Sequence, residues 1–301
     1  RLPAPGANEQ ERRMIDIDRL GEEDFARLPL VVEGESKEVR YAGDGQVVIR
    51  FKPTIYSFTA NRAGVVPGSD VLRLQASRVF VEALRGAGIA HAYRQVNDRW
   101  VLADLVLPPK TAQVPAPFRP ADLAPAELAR LATAPPIEVV VKRMHSGTSK
   151  HRYAGMAGHP VRATHPLYAG MSYGPDGAYP QPVVRFDWRN PLRDAQGKAL
   201  ADEVLPDAIA DWFIDVERAR RTALATFDAL TEFLAARDVV VYDLCLFVTE
   251  DGGTVFGEIS QDCGRYRHFD LGSLDKDVWR AGGSSAQVLE KWQTLLDVIG
   301  R

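Results

Sequence analysis

Residues 239–265 read VVVYDLCLFVTEDGGTVFGEISQDCGR, and the rest of the chain is best organised around them. Two β-rich runs, Val239–Thr249 and Thr254–Ile259, flank Glu250-Asp251-Gly252-Gly253, and a diglycine supplies the positive φ that a tight reversal needs. The spacing predicts a hairpin. Alternation along its first strand puts Asp243, Cys245 and Phe247 on one face and Leu244, Leu246 and Val248 on the other. The return strand is expected to deliver Glu258, followed by Ser260, Asp262 and Arg265. Acids within an apolar hairpin cost desolvation free energy, so they mark either ion pairs with nearby arginines and backbone groups or a functional site.

Outward from this segment, composition sets the frame. The chain has 301 residues, 46% hydrophobic and 26% charged, with 40 acidic residues against 37 Lys and Arg. These are values of an ordinary globular protein, long enough for one large domain or two modest ones. The net charge of -3 offers no global positive field for nucleic acid or an anionic membrane. The only cysteines are Cys245 and Cys263, and no Cys/His metal spacing is present, so structural zinc and a disulfide framework are both unsupported. No apolar run is long enough to span a bilayer, and the initial RLPAPGANEQERR lacks an apolar signal core. The expected location is cytoplasmic.

Taken in order, residues 1–27 read as a polar arm with a short helix near its end. Leu28–Phe51 reads as three strands with turns at Glu33–Glu38 and Gly43-Asp44-Gly45. A glycine-bearing turn of this kind is either a surface hairpin or a cover for nucleotide phosphates, with Lys37 as a point charge. After Pro67-Gly68, Ser69 or Asp70 is expected to cap a helix that ends at Gly86 or Gly88. Pro108–Pro120 is a proline-interrupted connection between two lobes. Ile137–Arg143 is a strong strand that runs into a basic turn. Six basic or histidine side chains between Lys142 and Arg152 surround a glycine and the hydroxyls of Ser146, Thr148 and Ser149, which suits a phosphate or carboxylate. Residues 153–182, rich in Gly, Pro and Tyr, form a loop or lid candidate. A second strand covers Val183–Asn190, and a long amphipathic helix is expected from Pro206 to about Ala236. Cys245 reads either as a nucleophile on the site face or as a small buried filler.

The order and spacing of EGESK (33–37), VPGSDVL (66–72), PIEVVVKRMHSGT (136–148), EISQDCGR (258–265) and LDKD (274–277) resemble the SAICAR synthetase family, over roughly residues 28–280. The resemblance implies an α+β fold of two lobes built on antiparallel sheets with a cleft between them. Residues 28–109 would form a kinase-like N-terminal lobe and residues 110–301 a C-terminal lobe of ATP-grasp-like character. It also implies a ligase that uses ATP and Mg2+ to activate a carboxylate of a phosphoribosyl heterocycle as an acyl phosphate, for attack by an amino acid amine such as that of aspartate. Asp243, Glu258 and Asp262 would then be catalytic. Lys142, Arg143, Thr148, Ser149, Arg189 and Arg265 would bind the small anionic substrate, Gly34, Lys37 and Glu258 the cofactor, and Glu258 with Asp243 the metal.

Several positions depart from the family pattern. Glu35 replaces the first lysine of the phosphate loop, and Lys142 replaces an arginine, losing bidentate geometry. The D-x-K-x-E of the first strand reads Asp243-Leu244-Cys245-Leu246-Phe247, and the D-E of the second reads Gly257-Glu258. Phe247 has no oxygen to offer a metal. Three readings follow: a ligase of specialised metabolism, a family-derived enzyme that has lost ATP use and acts otherwise on a related ligand, or an inactive ligand-binding protein.

Overall fold

The computed structural model describes residues 15–57, 60–108, 123–147, 152–174, 177–190, 194–196 and 200–300. The first half contains α1 (Glu22–Arg27), β1 (Leu30–Glu33), β2 (Lys37–Gly43), β3 (Gln46–Phe51), β4 (Thr54–Ser57), β5 (Arg62–Val65), α2 (Ser69–Gly86), β6 (Tyr93–Val96), β7 (Val101–Asp104), β8 (Val106–Leu107), α3 (Pro125–Leu128) and β9 (Ala132–Thr133). Five of these strands form an antiparallel sheet of order β1-β2-β3-β7-β6. Ile17, Leu20 and Phe25 are buried against Val48, Trp100 and Leu102 of this sheet. Residues 17–25 are therefore part of the packed body, because their apolar side chains find a partner in Trp100, stacked on Phe25 at 4.5 Å.

The second half contains β10 (Ile137–Met144), β11 (Ala178–Trp188), β12 (Glu203–Leu205), α4 (Asp207–Ala210), α5 (Val216–Ala235), β13 (Val239–Val248), β14 (Val255–Phe256), β15 (Gly264–His268), β16 (Gly272–Ser273), α6 (Asp277–Arg280) and α7 (Ser285–Ile299). The larger sheet runs β12-β11-β10-β13-β15-β16, with β14 added on β13, and every pairing is antiparallel. The fold is thus α+β. One face of this sheet carries Val139, Val141, Phe186, Leu244 and Leu246, which pack with Ala219, Ala223, Phe227 and Leu230 of α5 in one buried cluster. Ala76, Phe80 and Leu84 of α2 enter the same cluster, so α2 ties the two sheets together.

Three local expectations change. The helix expected from Pro206 breaks after α4 and restarts at α5, where the Asp215 side chain accepts from the Arg218 amide at 2.8 Å. A capping acid inside an apolar stripe outcompetes continuity. The N-cap of α2 is Gly68, at φ 92°, and neither Ser69 nor Asp70 caps through its side chain. The return strand after the diglycine is only two residues long, with Phe247 opposite Phe256 and Val248 opposite Val255. Gly257 then takes φ +82°, which turns the chain off the sheet, so Glu258 lies in a loop rather than on a strand. The tight turn itself is as expected: Gly252 has φ +70°, and a Cβ there would sit 2.5 Å from the Ala219 amide nitrogen.

Candidate active site

Strand alternation sends one face of β10, β11 and β13 to the helices and the other to the cleft. Cross-strand register arranges the cleft face in rows. Asp187, Glu138 and Phe247 lie abreast, then Arg185, Val140 and Cys245. A third row holds Lys142, Asp243 and Arg265.

In that third row Asp243 is almost wholly buried, and its Oδ2 accepts from Lys142 Nζ at 2.8 Å and Arg265 Nη1 at 2.6 Å. Burial alone would raise its pKa, but the Lys142 and Arg265 charges outweigh that and hold the carboxyl below its usual range. Ser146 Oγ lies 3.4 Å from the same oxygen. The turn after β10 needs a glycine here: Gly147 has φ +62°, and a Cβ on it would come within 2.6 Å of the Arg265 guanidinium carbon.

Glu258 is the second centre. Arg73 Nε donates to its Oε1 at 2.8 Å and Arg73 Nη2 to its Oε2 at 2.7 Å, while Lys37 Nζ reaches Oε2 at 2.8 Å and Ser260 Oγ donates to Oε1. Arg73 Nη1 donates to the carbonyls of Lys52 and Thr54, both at 3.2 Å. Burial would again raise the Glu258 pKa, and the charges of Arg73 and Lys37 pull it far below the usual carboxylate range. One carboxylate therefore joins β2, α2 and the loop after β14. Asp262, nearby in sequence, pairs with Lys276 at 3.0 Å.

The expected LDKD turn is more deeply embedded than its composition implied. Asp275 is fully buried, accepting from the amides of Tyr266 at 3.0 Å and Asp277 at 2.7 Å. Burial, reinforced by Asp277, raises its pKa to about 6. Asp277 receives Arg267 at 2.6 Å and Arg280 at 2.5 Å, with Arg265 Nε at 3.5 Å.

Of the anion-binding candidates, Lys142 and Arg265 meet at Asp243. Arg143 is exposed, at the register shift of β10 against β11 just past Lys142, where pairing with β13 has ended. Arg189 is half exposed, 3.9 Å from Glu138, with its guanidinium 5.7 Å from the Phe247 ring centroid. Thr148 and Ser149 lie outside the described residues. Gly34 closes a turn through its amide to the Lys37 carbonyl at 2.8 Å, and Lys37 itself reaches across to Glu258. The Cys245 amide donates to the Cys263 carbonyl at 2.8 Å. Burial, with Glu138 and Asp243 nearby, pushes the Cys245 thiol well up, and burial with Glu258 pushes Cys263 to about 12. Such thiols are poor nucleophiles, which favours the filler reading of Cys245.

Sequence reasoning missed Arg73, whose partner is 185 residues away. A signal existed: Arg73, Ser77, Phe80 and Leu84 share one face of α2, and a charge on a buried stripe implies a buried partner. It also missed Arg185, which grips Asp187 with two bonds of 2.6 Å. The lid candidate is anchored at buried His145, whose Nδ1 lies 2.6 Å from the Tyr173 hydroxyl and 3.0 Å from that of Tyr179.

Beside the first row opens an apolar cavity of about 400 Å3, lined by Val106–Pro108, Pro135, Pro136, Phe247 and Phe256. The oxygen donors expected to hold a metal are otherwise engaged. Asp243 and Glu258 are both ion-paired, and positions 247 and 257 offer a phenyl ring and a hydrogen. Among the described residues no group of three His, Cys, Asp or Glu side chains is arranged to hold a cation. A magnesium ion does not fit this donor set.

Comparison with known proteins agrees with the fold. The sequence profile of SAICAR synthetase matches residues 30–297. The Cordyceps militaris bifunctional cordycepin biosynthesis cluster protein 3 is 28% identical over 89% of this chain, which spans 32% of that protein. The phosphoribosylaminoimidazole-succinocarboxamide synthase of Thermococcus kodakarensis is 24% identical over 84% of this chain and 89% of its own length. Among solved structures, a SAICAR synthetase in complex with ADP superposes with a TM-score of 0.64, covering 89% of this chain and 97% of its own at 22% identity. The Saccharomyces cerevisiae enzyme complexed with SAICAR also gives 0.64, covering 94% of this chain and 98% of its own at 12% identity.

Proposed function

Because the chain belongs to the SAICAR synthetase family, we propose that it is an ATP-linked ligase of specialised metabolism that joins a carboxylate of a phosphoribosyl heterocycle, or a related small polyanion, to an amino acid amine such as that of aspartate. The observation that carries this reading is the convergence of Lys142, Arg265 and Asp243 in the third row of the cleft face, with an apolar cavity beside the first row of the same face. The likeness to a protein of cordycepin biosynthesis supports the specialised setting.

Each group has a physical task in this reading. Lys142 and Arg265 hold an anionic substrate group, and Asp243 fixes both cations in place by accepting from each. The apolar cavity accepts the flat face of a nucleotide base. ATP, when bound, supplies the phosphoryl group that activates the carboxylate. Arg73, Lys37 and Glu258 tie β2 and α2 to the loop after β14, and so fix the β2–α2 side against the large sheet. Since magnesium does not fit the donors, no step here passes through it.

The test is to incubate the purified chain with ATP, aspartate and carboxyaminoimidazole ribonucleotide or related imidazole carboxylates, following ADP release and amide product by mass spectrometry. Product formation that requires ATP is expected, and product formation without ATP would refute the ATP-linked reading. Conversion of the imidazole carboxylate to a different product without ATP would identify the other reading, a family-derived enzyme that has lost ATP use and catalyses another reaction on a related ligand, which Phe247 and Gly257 favour by removing two oxygen ligands.

A further inference from the structure

We propose that this cleft binds its phosphorylated ligand without a divalent metal, the neutralising charge coming from lysine and arginine side chains. The proposal rests on the nucleotide-linked reading above.

Three observations converge on it. The carboxylates that would ligate a metal already have cationic partners at contact distance. Glu258 takes Arg73 through both oxygens and Lys37 through one, Asp243 takes Lys142 and Arg265, and Asp262 takes Lys276. For a cation to enter at Glu258, the fully buried Arg73 guanidinium would have to lose its only acidic partner among these contacts, and an uncompensated buried charge is strongly disfavoured.

The wall at positions 247 and 257 is apolar by construction. The Phe247 ring packs against Phe256 at a tilt of 41°, with centroids 5.7 Å apart, and both line the cavity. Gly257 sits at φ +82°, and a Cβ there would lie 3.5 Å from Phe247 Cδ2, so ring and glycine pack against each other. Magnesium dehydrates reluctantly and keeps several of its waters. A hydrated dication pressed against a phenyl ring loses hydrogen-bond partners and gains none.

Charge points the same way. Lys37, Arg73, Lys142, Arg265 and Lys276 gather against Glu258, Asp243 and Asp262, and with Asp277, which also contacts Arg265, and its partners Arg267, Arg280 and Asp275 the set holds seven cations to five carboxylates. A cluster with excess positive charge attracts a polyphosphate and repels a dication. The role that a bound metal plays on phosphate oxygens is thus available from side chains already in position.

The experiment is isothermal titration calorimetry of ADP into the full chain, once in excess Mg2+ and once in EDTA, with a parallel Mn2+ titration followed by electron paramagnetic resonance. The expected result is an ADP Kd that agrees within about twofold between the two buffers, affinity that weakens as NaCl screens the cations, and no Mn2+ held beyond that bound by ADP alone. Tightening of about tenfold or more by Mg2+, or protein-held Mn2+, overturns the proposal and leaves the ligase reading standing. Failure of ADP to bind in either buffer overturns the proposal together with the nucleotide-linked reading.

Discussion

Replacing Arg73 by Met keeps much of the length and apolar character of the stem while deleting the guanidinium that grips Glu258. The loss can be sized from the contacts. Arg73 makes two buried charged bonds to Glu258, of 2.8 and 2.7 Å, and two partly buried ones to the Lys52 and Thr54 carbonyls. Breaking a buried pair by removing one partner costs about 3–5 kcal/mol, and because Lys37 still reaches Glu258 at 2.8 Å the lower end, about 3 kcal/mol, is expected. For a chain of this size that corresponds to a fall in Tm of about 5 °C. Urea and thermal denaturation at neutral pH measure it, and a double-mutant cycle with Glu258→Gln isolates the pair, with a coupling of about 2–3 kcal/mol expected. The pH dependence carries a further sign. Glu258 is held far below the usual carboxylate range, so its stabilisation is fully present above its unfolded pKa of about 4.3 and is lost as pH falls towards the folded value. The Arg73→Met chain should therefore show a shallower loss of stability in acid. A variant within about 0.5 kcal/mol of the parent, or a cycle with no coupling, would refute the view that Glu258 is the joint between the two sheets.

Asp275 should act in the opposite sense. Its folded pKa of about 6 lies above the unfolded value, so the native state holds a proton that the unfolded chain releases, and stability falls as pH rises from about 4 to 6. Asp275→Asn, compared with the parent by urea titration across that range, should lack this falling component; an identical pH slope in both chains would count against the assignment. Gly147→Ala forces a positive φ on a side chain and drives its Cβ into the Arg265 guanidinium, so a stability loss of about 1–3 kcal/mol is expected, with an ADP affinity reduced about tenfold by calorimetry. Unchanged affinity would remove Arg265 from the anion site. Cys245 and Cys263, with thiol pKa values pushed up, should react with a chromogenic disulfide far more slowly in the native chain than in urea, and fast native labelling would restore Cys245 as a nucleophile candidate. Gly257→Asp, intended to restore a metal ligand, should itself cost about 1–3 kcal/mol in chemical denaturation because of φ +82°, and a neutral outcome would show that the loop relaxes.

How much was legible in the sequence depends on the range of the cause. Alternation in 239–248 separated Leu244, Leu246 and Val248 from Asp243, Cys245 and Phe247, because period-two patterning is imposed residue by residue. The diglycine turn was readable for the same local reason. By contrast, the return strand was cut to two residues by the backbone of Gly257, and the composition of TVFGEI does not say where a strand leaves its sheet. The break before α5 turned on Asp215 accepting from the Arg218 amide, a local signal that the apolar stripe around it masked.

The site shows the same division more sharply. Family blocks located Asp243, Glu258, Asp262 and Arg265, yet their chemistry is decided by partners the blocks do not contain. Glu258 is readable as an acid in an apolar segment, and such an acid can be a metal ligand, a proton carrier or half of an ion pair. What selects the third is Arg73 on α2, fully buried and bonded to the carbonyls of Lys52 and Thr54 on its other side, an arrangement that exists only once α2 has packed against the large sheet. With Glu258 committed to Arg73 and Lys37, an acid at position 257 or 247 would stand beside one that is already neutralised, and a metal there would lack a second carboxylate. The phenyl ring at 247 and the glycine at 257 are thus physically consistent with one another and with the ion pair, so the two departures read as a single change of site rather than two separate losses.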